Sequence, residues 1–176
     1  DVVTYLGQPV ALVLATDRAV AERASALVRV EYAERPFVLD PHEAHAAQDY
    51  VVPPMRMVSR TPADVDEALL HASHREPGSF RMGGQEHFYL ETMTALATPV
   101  DDGAVVIRSS TQHPTEVQHV AAKVLGLPFH RVRVECRRMG GAFGGKESQA
   151  AQVAALAALG ALHLDRSVKV RLDRRT

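Results

Sequence analysis

Apolar and polar residues follow two rhythms along the chain, and the changes between them mark out its elements. The apolar run PVALVLAT (9–16) is followed by Ala19, Val20, Ala24 and Leu27 at helical spacing, then by Val28, Val30 and Tyr32 at every second position. This order predicts strand, helix, strand. Asp17 or Thr16 is placed to cap that helix, because a short side-chain oxygen can accept a first-turn N–H. From Glu34 to Arg60 no period holds, and Pro36, Pro41, Pro53 and Pro54 interrupt the segment, which reads as a linker or extended surface segment. Thr61, Pro62 and Asp64 then stand in the order cap, first and third helical residue, opening a short helix through ADVDEALLHA.

Beyond Pro77-Gly78 the period falls to two. FRM, HFYLETMTALATPV and AVVIRSS predict strands, the last two joined as a hairpin across Asp101-Asp102-Gly103. Pro114 begins the helical run TEVQHVAAKVL, which Gly126 and Pro128 end. The strand RVRVEC, the turn RRMGGAFGGK, an Ala-rich helix from about Glu147 and the strand SVKVRL complete the chain.

Composition narrows the function classes. Over 176 residues, 20 basic and 21 acidic side chains leave a net charge of −1, which gives no footprint for nucleic acid. Residues 1–88 hold 8 basic and 13 acidic groups, residues 89–176 hold 12 and 8, so an anionic ligand belongs in the second half. The single Cys136 cannot form an internal disulfide, which suits a reducing, cytoplasmic setting. The run Val153–Leu162 is too short to span a bilayer. The opening residues carry neither a leader pattern nor an initiator methionine, and the expectation is a piece of a longer protein.

The chemistry concentrates at the glycine-rich turn. A strand, four glycines within residues 140–145, Lys146 and a helix make an anion-cradle context, since glycine lets backbone N–H groups approach a ligand and the helix start adds partial positive charge. Gly140, Gly145 and Lys146 satisfy the first part of the nucleotide P-loop pattern, but Glu147 stands where Ser or Thr is needed. A carboxylate ~4 Å from a phosphate costs about 4 kcal/mol at an effective dielectric of 20, so nucleotide hydrolysis is disfavoured. Taken singly, the turn can equally serve close packing, Glu147 can complement a helix dipole, and Gln112 before Pro114 can satisfy turn backbone. The pairs His42/His45 and His71/His74 lack the further ligands of a zinc site. Cys136 and Ser148 lack the setting of a nucleophile.

Read together, GGQEHFYLET (83–92), SSTQHP (109–114), LGLPFHRV (125–132) and RRMGGAFGGKES (137–148) resemble, in order and spacing, the molybdenum-cofactor subunit of the xanthine dehydrogenase and aldehyde oxidase superfamily. The front, YLGQPVALVLATDRAVAERASALVRVEY, resembles the later part of that family's α/β hammerhead domain. The resemblance implies an α+β fold: residues 1–48 as the C-terminal part of the hammerhead domain, 49–61 as linker, and 62–176 as the N-terminal part of a molybdopterin-binding domain.

It also implies a site. Gln112, Gly141, Ala142, Phe143 and Gly144 would bind the molybdenum cofactor. Gln112 and Phe143 would contact the molybdenum oxo groups without supplying a side-chain ligand, and Glu147 would bind the substrate. No catalytic residue is expected in this stretch, the general base lying downstream in relatives. Glu147 favours a purine over an aldehyde, so the implied parent oxidises xanthine or hypoxanthine to urate, with 2Fe-2S clusters and FAD on a partner chain or a missing region. The alternatives are an aldehyde or carbon monoxide oxidoreductase of the same superfamily, and a non-catalytic anion-binding module. Ala142 replaces a glycine common in relatives; it fits if the position does not require positive φ.

Overall fold

The computed structural model of the chain describes residues 2–57 and 61–174. Its elements run α1 (Arg18–Ser25), α2 (Pro41–Ala47), α3 (Pro62–Leu70), β1 (Thr94–Val100), β2 (Ala104–Ser109), α4 (Pro114–Leu125), β3 (Val132–Glu135), α5 (Gln149–Leu164) and β4 (Val168–Arg171). They fall into two compact units, one made of the residues up to Val28 with those from Gly84 onward, the other of Arg29–Gly83.

The larger unit is built on one sheet of order β3-β2-β1-β4. β1 and β2 are antiparallel, with Ala95 opposite Ser109 and Val100 opposite Ala104. Asp102 and Gly103 turn the hairpin with φ of 62° and 70°, as the Asp-Asp-Gly sequence predicts. β3 lies parallel to β2, which requires a crossover, and α4 supplies it. β4 pairs β1 only over Thr94–Ala97, so Pro99 lies beyond the stretch where β1 has a neighbour on each side.

Alternation decides which face is covered. Ala95 and Ala97 of β1 and Val105 and Ile107 of β2 point into the core, where they meet Val117 and Ala121 of α4 and the alanines of α5. Ala150, Ala154, Ala157, Ala158 and Ala161 of α5 are buried, and side chains this small let the helix lie close against the sheet. Gly160 carries the approach furthest, since a Cβ there would stand 3.1 Å from the methyls of Leu14. α4 ends in a left-handed Gly126, with the Leu127 N–H donating to the Ala122 carbonyl, the hydrogen-bond pattern that lets glycine close a helix.

The smaller unit holds α2 and α3. Thr61 and Asp64 form a reciprocal capping box at the start of α3. α2 lies inside the stretch read above as linker, for a local reason: the Asp40 carboxylate accepts from the His42 and Glu43 N–H groups and Pro41 takes the first helical position. Asp40-Pro41-His42-Glu43 thus repeats the cap, proline and acid order of α3.

Asp17, rather than Thr16, caps α1 through the Val20 N–H. The predicted strands at 9–16, 28–33 and 80–82 are not strands, and of 87–100 only Thr94–Val100 is one. A period of two makes a strand only where a neighbour completes its ladder, and among the described residues none does so here. Val28, Val30 and Tyr32 accordingly stand exposed.

Candidate functional site

The exit of β2 and the glycine turn before α5 meet at Gln112. Its backbone N–H donates to the Lys146 carbonyl at 3.0 Å. Its side-chain oxygen accepts from the Gly144 N–H at 3.1 Å and the Lys146 N–H at 3.3 Å. Because backbone N–H groups can only donate, they fix the carboxamide's orientation, with oxygen toward the turn and the NH2 away from it. That NH2 has no protein acceptor among the described residues, and Gln112 is exposed. The bland role foreseen for Gln112, satisfying turn backbone, is therefore real and uses only half of the side chain.

Conformational demand in the turn is carried by Gly141 (φ 94°), Phe143 (φ 53°) and Gly144 (φ 97°). Ala142 has no positive φ and is buried, so the condition for alanine at this position is met. The strain sits one residue on. A left-handed non-glycine residue costs about 1–2 kcal/mol, and Phe143 bears this with its side chain 76% exposed. The Gly145 N–H to Ala142 carbonyl bond of 2.8 Å and the Gly144 N–H bond to Gln112 bracket it, as such strain requires.

Beneath the turn lies a network that the motif does not reveal. The side chain of Lys146 is fully buried, its Nζ 3.2 Å from Glu91 Oε2 and 2.8 Å from Ser110 Oγ, and 4.7 Å from the centroid of the Tyr89 ring. Glu91 Oε2 also accepts from the Ser110 hydroxyl at 2.5 Å and the Gly140 N–H at 2.9 Å. Burial pushes the Glu91 carboxyl upward, but the Gly140 N–H, the Ser110 hydroxyl and the Lys146 ammonium outweigh it and hold the pKa below the ordinary value. Burial raises the Tyr89 phenol, and Glu86 adds to the rise.

Packing is tight where these side chains meet the turn. A Cβ on Gly140 would lie 2.6 Å from Glu91 Cβ, and one on Gly145 2.6 Å from Tyr89 Cε1 and 2.9 Å from His87 Cγ. The glycines at both ends of the turn are thus required by the Tyr89 and His87 rings and by the Cβ of Glu91.

α5 begins at Gln149 rather than at Glu147, with Ser148 as its cap residue. Glu147 therefore precedes the helix and is exposed, its N–H bonded to the Gly144 carbonyl at 3.4 Å. The turn, Gln112 and Glu147 form one neighbourhood within the larger unit. His45 contacts the Tyr50 hydroxyl at 3.0 Å, and Cys136 follows the last residue of β3 with its thiol 3.9 Å from the Arg138 carbonyl. Among the described residues no three His, Cys, Asp or Glu side chains converge on a metal-sized space, and no helix is long and apolar enough to cross a membrane.

What the neighbourhood offers a ligand is an outward carboxamide NH2 beside a turn whose backbone glycine keeps open, which fits a group that needs hydrogen-bond donors more than side-chain ligands. The P-loop likeness does not extend to function, since the Lys146 ammonium is committed to Glu91 and Ser110.

Residues 45–176 match the molybdopterin cofactor-binding domain family, and the chain belongs to it. Residues 1–36 match the a/b hammerhead domain of aldehyde oxidase and xanthine dehydrogenase. Within that group the chain is similar to the xanthine dehydrogenase of Drosophila pseudoobscura pseudoobscura, 47% identical over 169 residues that make up 96% of this chain and 12% of the relative. It is also similar to the probable aldehyde oxidase 1 of Oryza sativa subsp. japonica, at 35% identity over 99% of this chain and 13% of the relative. Among solved structures, quinoline 2-oxidoreductase from Pseudomonas putida 86 matches with a TM-score of 0.72 and 26% identity, covering 92% of this chain and 21% of that one. The chain thus spans about an eighth of the length of the curated relatives it matches.

Proposed function

We propose that this chain is part of a molybdenum hydroxylase that oxidises xanthine or hypoxanthine to urate, contributing residues that bind the cofactor and orient the substrate. The observation that carries the reading is the Gln112 carboxamide, its oxygen spent on the Gly144 and Lys146 N–H groups and its NH2 free to donate outward. In this reading Gln112 donates toward an oxo group of the cofactor, with Gly141, Ala142, Phe143 and Gly144 lining the same side. Glu147, exposed at the end of the turn, accepts a hydrogen bond from a purine ring N–H. When bound, the molybdenum cofactor supplies the redox chemistry. These residues orient what it acts on.

Support for a purine over an aldehyde comes from Glu147, a carboxylate suited to pairing with ring N–H groups, and from the 47% identity to a xanthine dehydrogenase. An aldehyde or carbon monoxide oxidoreductase remains the rival within the family. An anion-binding module is disfavoured because Lys146, the cation that directly follows the glycines, is buried and paired with Glu91. We further propose that the parent carries or recruits 2Fe-2S clusters and FAD as electron acceptors, serves purine catabolism and resides in the cytoplasm.

The test is molybdenum analysis of the full-length parent together with a substrate screen. Stoichiometric molybdenum and urate formation from xanthine are expected. Oxidation of aldehydes without purines would replace the substrate assignment, and a parent free of molybdenum would overturn the cofactor reading.

A further inference from the structure

The two ends of the glycine turn are tied to the same carboxylate oxygen. Glu91 Oε2 accepts from the Gly140 N–H, where the turn opens, and from Lys146 Nζ, where it closes. The Glu91 N–H returns a bond to the Gly140 carbonyl at 3.1 Å. Ser110 Oγ bridges the pair, donating to Glu91 and accepting from Lys146, and Ser110 lies two residues before Gln112 on the same exit from β2. The Lys146 carbonyl accepts from the Gln112 N–H and the Thr111 hydroxyl, while its N–H holds Gln112 Oε1. Lys146 is therefore the node, its side chain anchored below the turn and its backbone gripping Gln112 above.

An ion pair with one partner fully buried, as Lys146 is against a Glu91 side chain 36% exposed, gains little net stability, because desolvation offsets the attraction. Its distinctive property is direction, since charge-assisted hydrogen bonds fix angles as apolar contacts do not. We propose that Glu91, Lys146 and Ser110 are positioning residues that lock the turn and through it set the direction of the Gln112 carboxamide. The proposal deepens the reading above, since the target of that carboxamide is the cofactor.

The test uses the full-length parent. Glu91→Gln removes the charge and keeps the size, Ser110→Ala removes only the bridging hydroxyl, and Glu91→Asp is the conservative variant. Amide hydrogen exchange is followed by mass spectrometry on peptides covering residues 137–148 and on the β1–β2 hairpin, in protein freed of molybdenum and in loaded protein. Exchange in the turn is expected to quicken about tenfold or more in Glu91→Gln and Ser110→Ala, with the hairpin unchanged. In loaded protein kcat falls roughly tenfold while KM for the purine stays within about twofold, as expected when an interaction made only in the transition state is lost. The paramagnetic resonance signal of the metal shifts with it, and Glu91→Asp recovers part of both. Unchanged turn exchange in Glu91→Gln and Ser110→Ala overturns the proposal, and so does quickened exchange across turn and hairpin alike, which would mean that the network holds the fold rather than the turn. A loosened turn with unaltered kcat and resonance signal removes the aiming role. A parent without molybdenum defeats the cofactor reading alone, and exchange in the metal-free protein still decides whether the network locks the turn.

Discussion

Gln112 and Lys146 grip each other through two hydrogen bonds of opposite sense, the Gln112 N–H to the Lys146 carbonyl at 3.0 Å and the Lys146 N–H to Gln112 Oε1 at 3.3 Å. The closure joins the exit of β2 to the end of the glycine turn, segments 34 residues apart in sequence. It also divides Gln112 into an oxygen that serves structure and an NH2 that faces away.

This division makes Gln112→Glu a sharper probe than Gln112→Ala. Glutamate keeps an oxygen for the Gly144 and Lys146 N–H groups and removes both donor hydrogens, so stability should stay within about 1 kcal/mol of wild type. Gln112→Ala leaves those two N–H groups without their acceptor and should cost roughly 1–3 kcal/mol. Turnover per molybdenum should fall in both. Denaturant unfolding and steady-state kinetics on the full-length parent check the pair; normal turnover in Gln112→Glu would confine Gln112 to the structural half of its role.

Glu147 is expected to separate substrates. Glu147→Val in the full-length parent should impair purine oxidation more than aldehyde oxidation, because a hydrogen bond to a charged group contributes about 1.5–3 kcal/mol, or roughly 10- to 150-fold in kcat/KM. Since Glu147 lies outside α5 and is exposed, the melting temperature should barely move. Equal losses on both substrates would remove the specificity role.

Gly145→Ala tests the packing beneath the turn. Its Cβ would stand 2.6 Å from Tyr89 Cε1 and 2.9 Å from His87 Cγ, and overpacking of this kind costs about 1–3 kcal/mol. Calorimetric unfolding of the variant should show that loss. An unshifted transition would mean that Tyr89 and His87 move aside freely.

Much of this arrangement could be read locally. Thr61-Pro62-Asp64 at α3, Pro114 and Gly126 at the two ends of α4, and Asp101-Asp102-Gly103 in the hairpin each act within a few residues, so their elements appear where the sequence puts them. α2 was equally legible through Asp40 and Pro41, but the prolines around it obscured the signal. The runs at 9–16 and 28–33 carry strand alternation without a partner within the described residues, and pairing is not a property of one segment. At the site, Gln112 and the glycines stand out in sequence, whereas Lys146 after a glycine turn reads as part of an anion cradle. Only the return of the chain brings Glu91, 55 residues earlier, beneath it.

Glu91 should also give the domain an acid-sensitive component. Its pKa in the folded protein is depressed: burial raises it, and the Gly140 N–H, the Ser110 hydroxyl and the Lys146 ammonium together more than reverse that. A depressed carboxylate contributes stability that is fully present above its unfolded value of about 4.3 and is lost as pH falls through the lower folded value. Melting temperature measured from pH 6 down to about pH 2.5 should therefore fall more steeply in wild type than in Glu91→Gln. Parallel acid limbs would show that Glu91 gains nothing from its partners.

The last expectation concerns the 176-residue chain expressed by itself. Leu6, Leu27, Val51, Phe80 and Leu90 are each more than 80% exposed, Leu6 and Val51 wholly so. Exposed apolar side chains in such number favour association. β3 and β4 form the two edges of the sheet, each with one side unpaired among the described residues, and open edges template pairing with other chains. The contacts offered to a cofactor come from one turn and one carboxamide, and a ligand held from one side loses much of the binding free energy that enclosure supplies. The isolated chain should therefore elute from size exclusion as aggregate, carry well under one molybdenum per chain, and form no urate from xanthine. A monodisperse chain with stoichiometric molybdenum and measurable urate production would show that this turn and Gln112 suffice to hold the cofactor and that catalysis requires nothing beyond these residues.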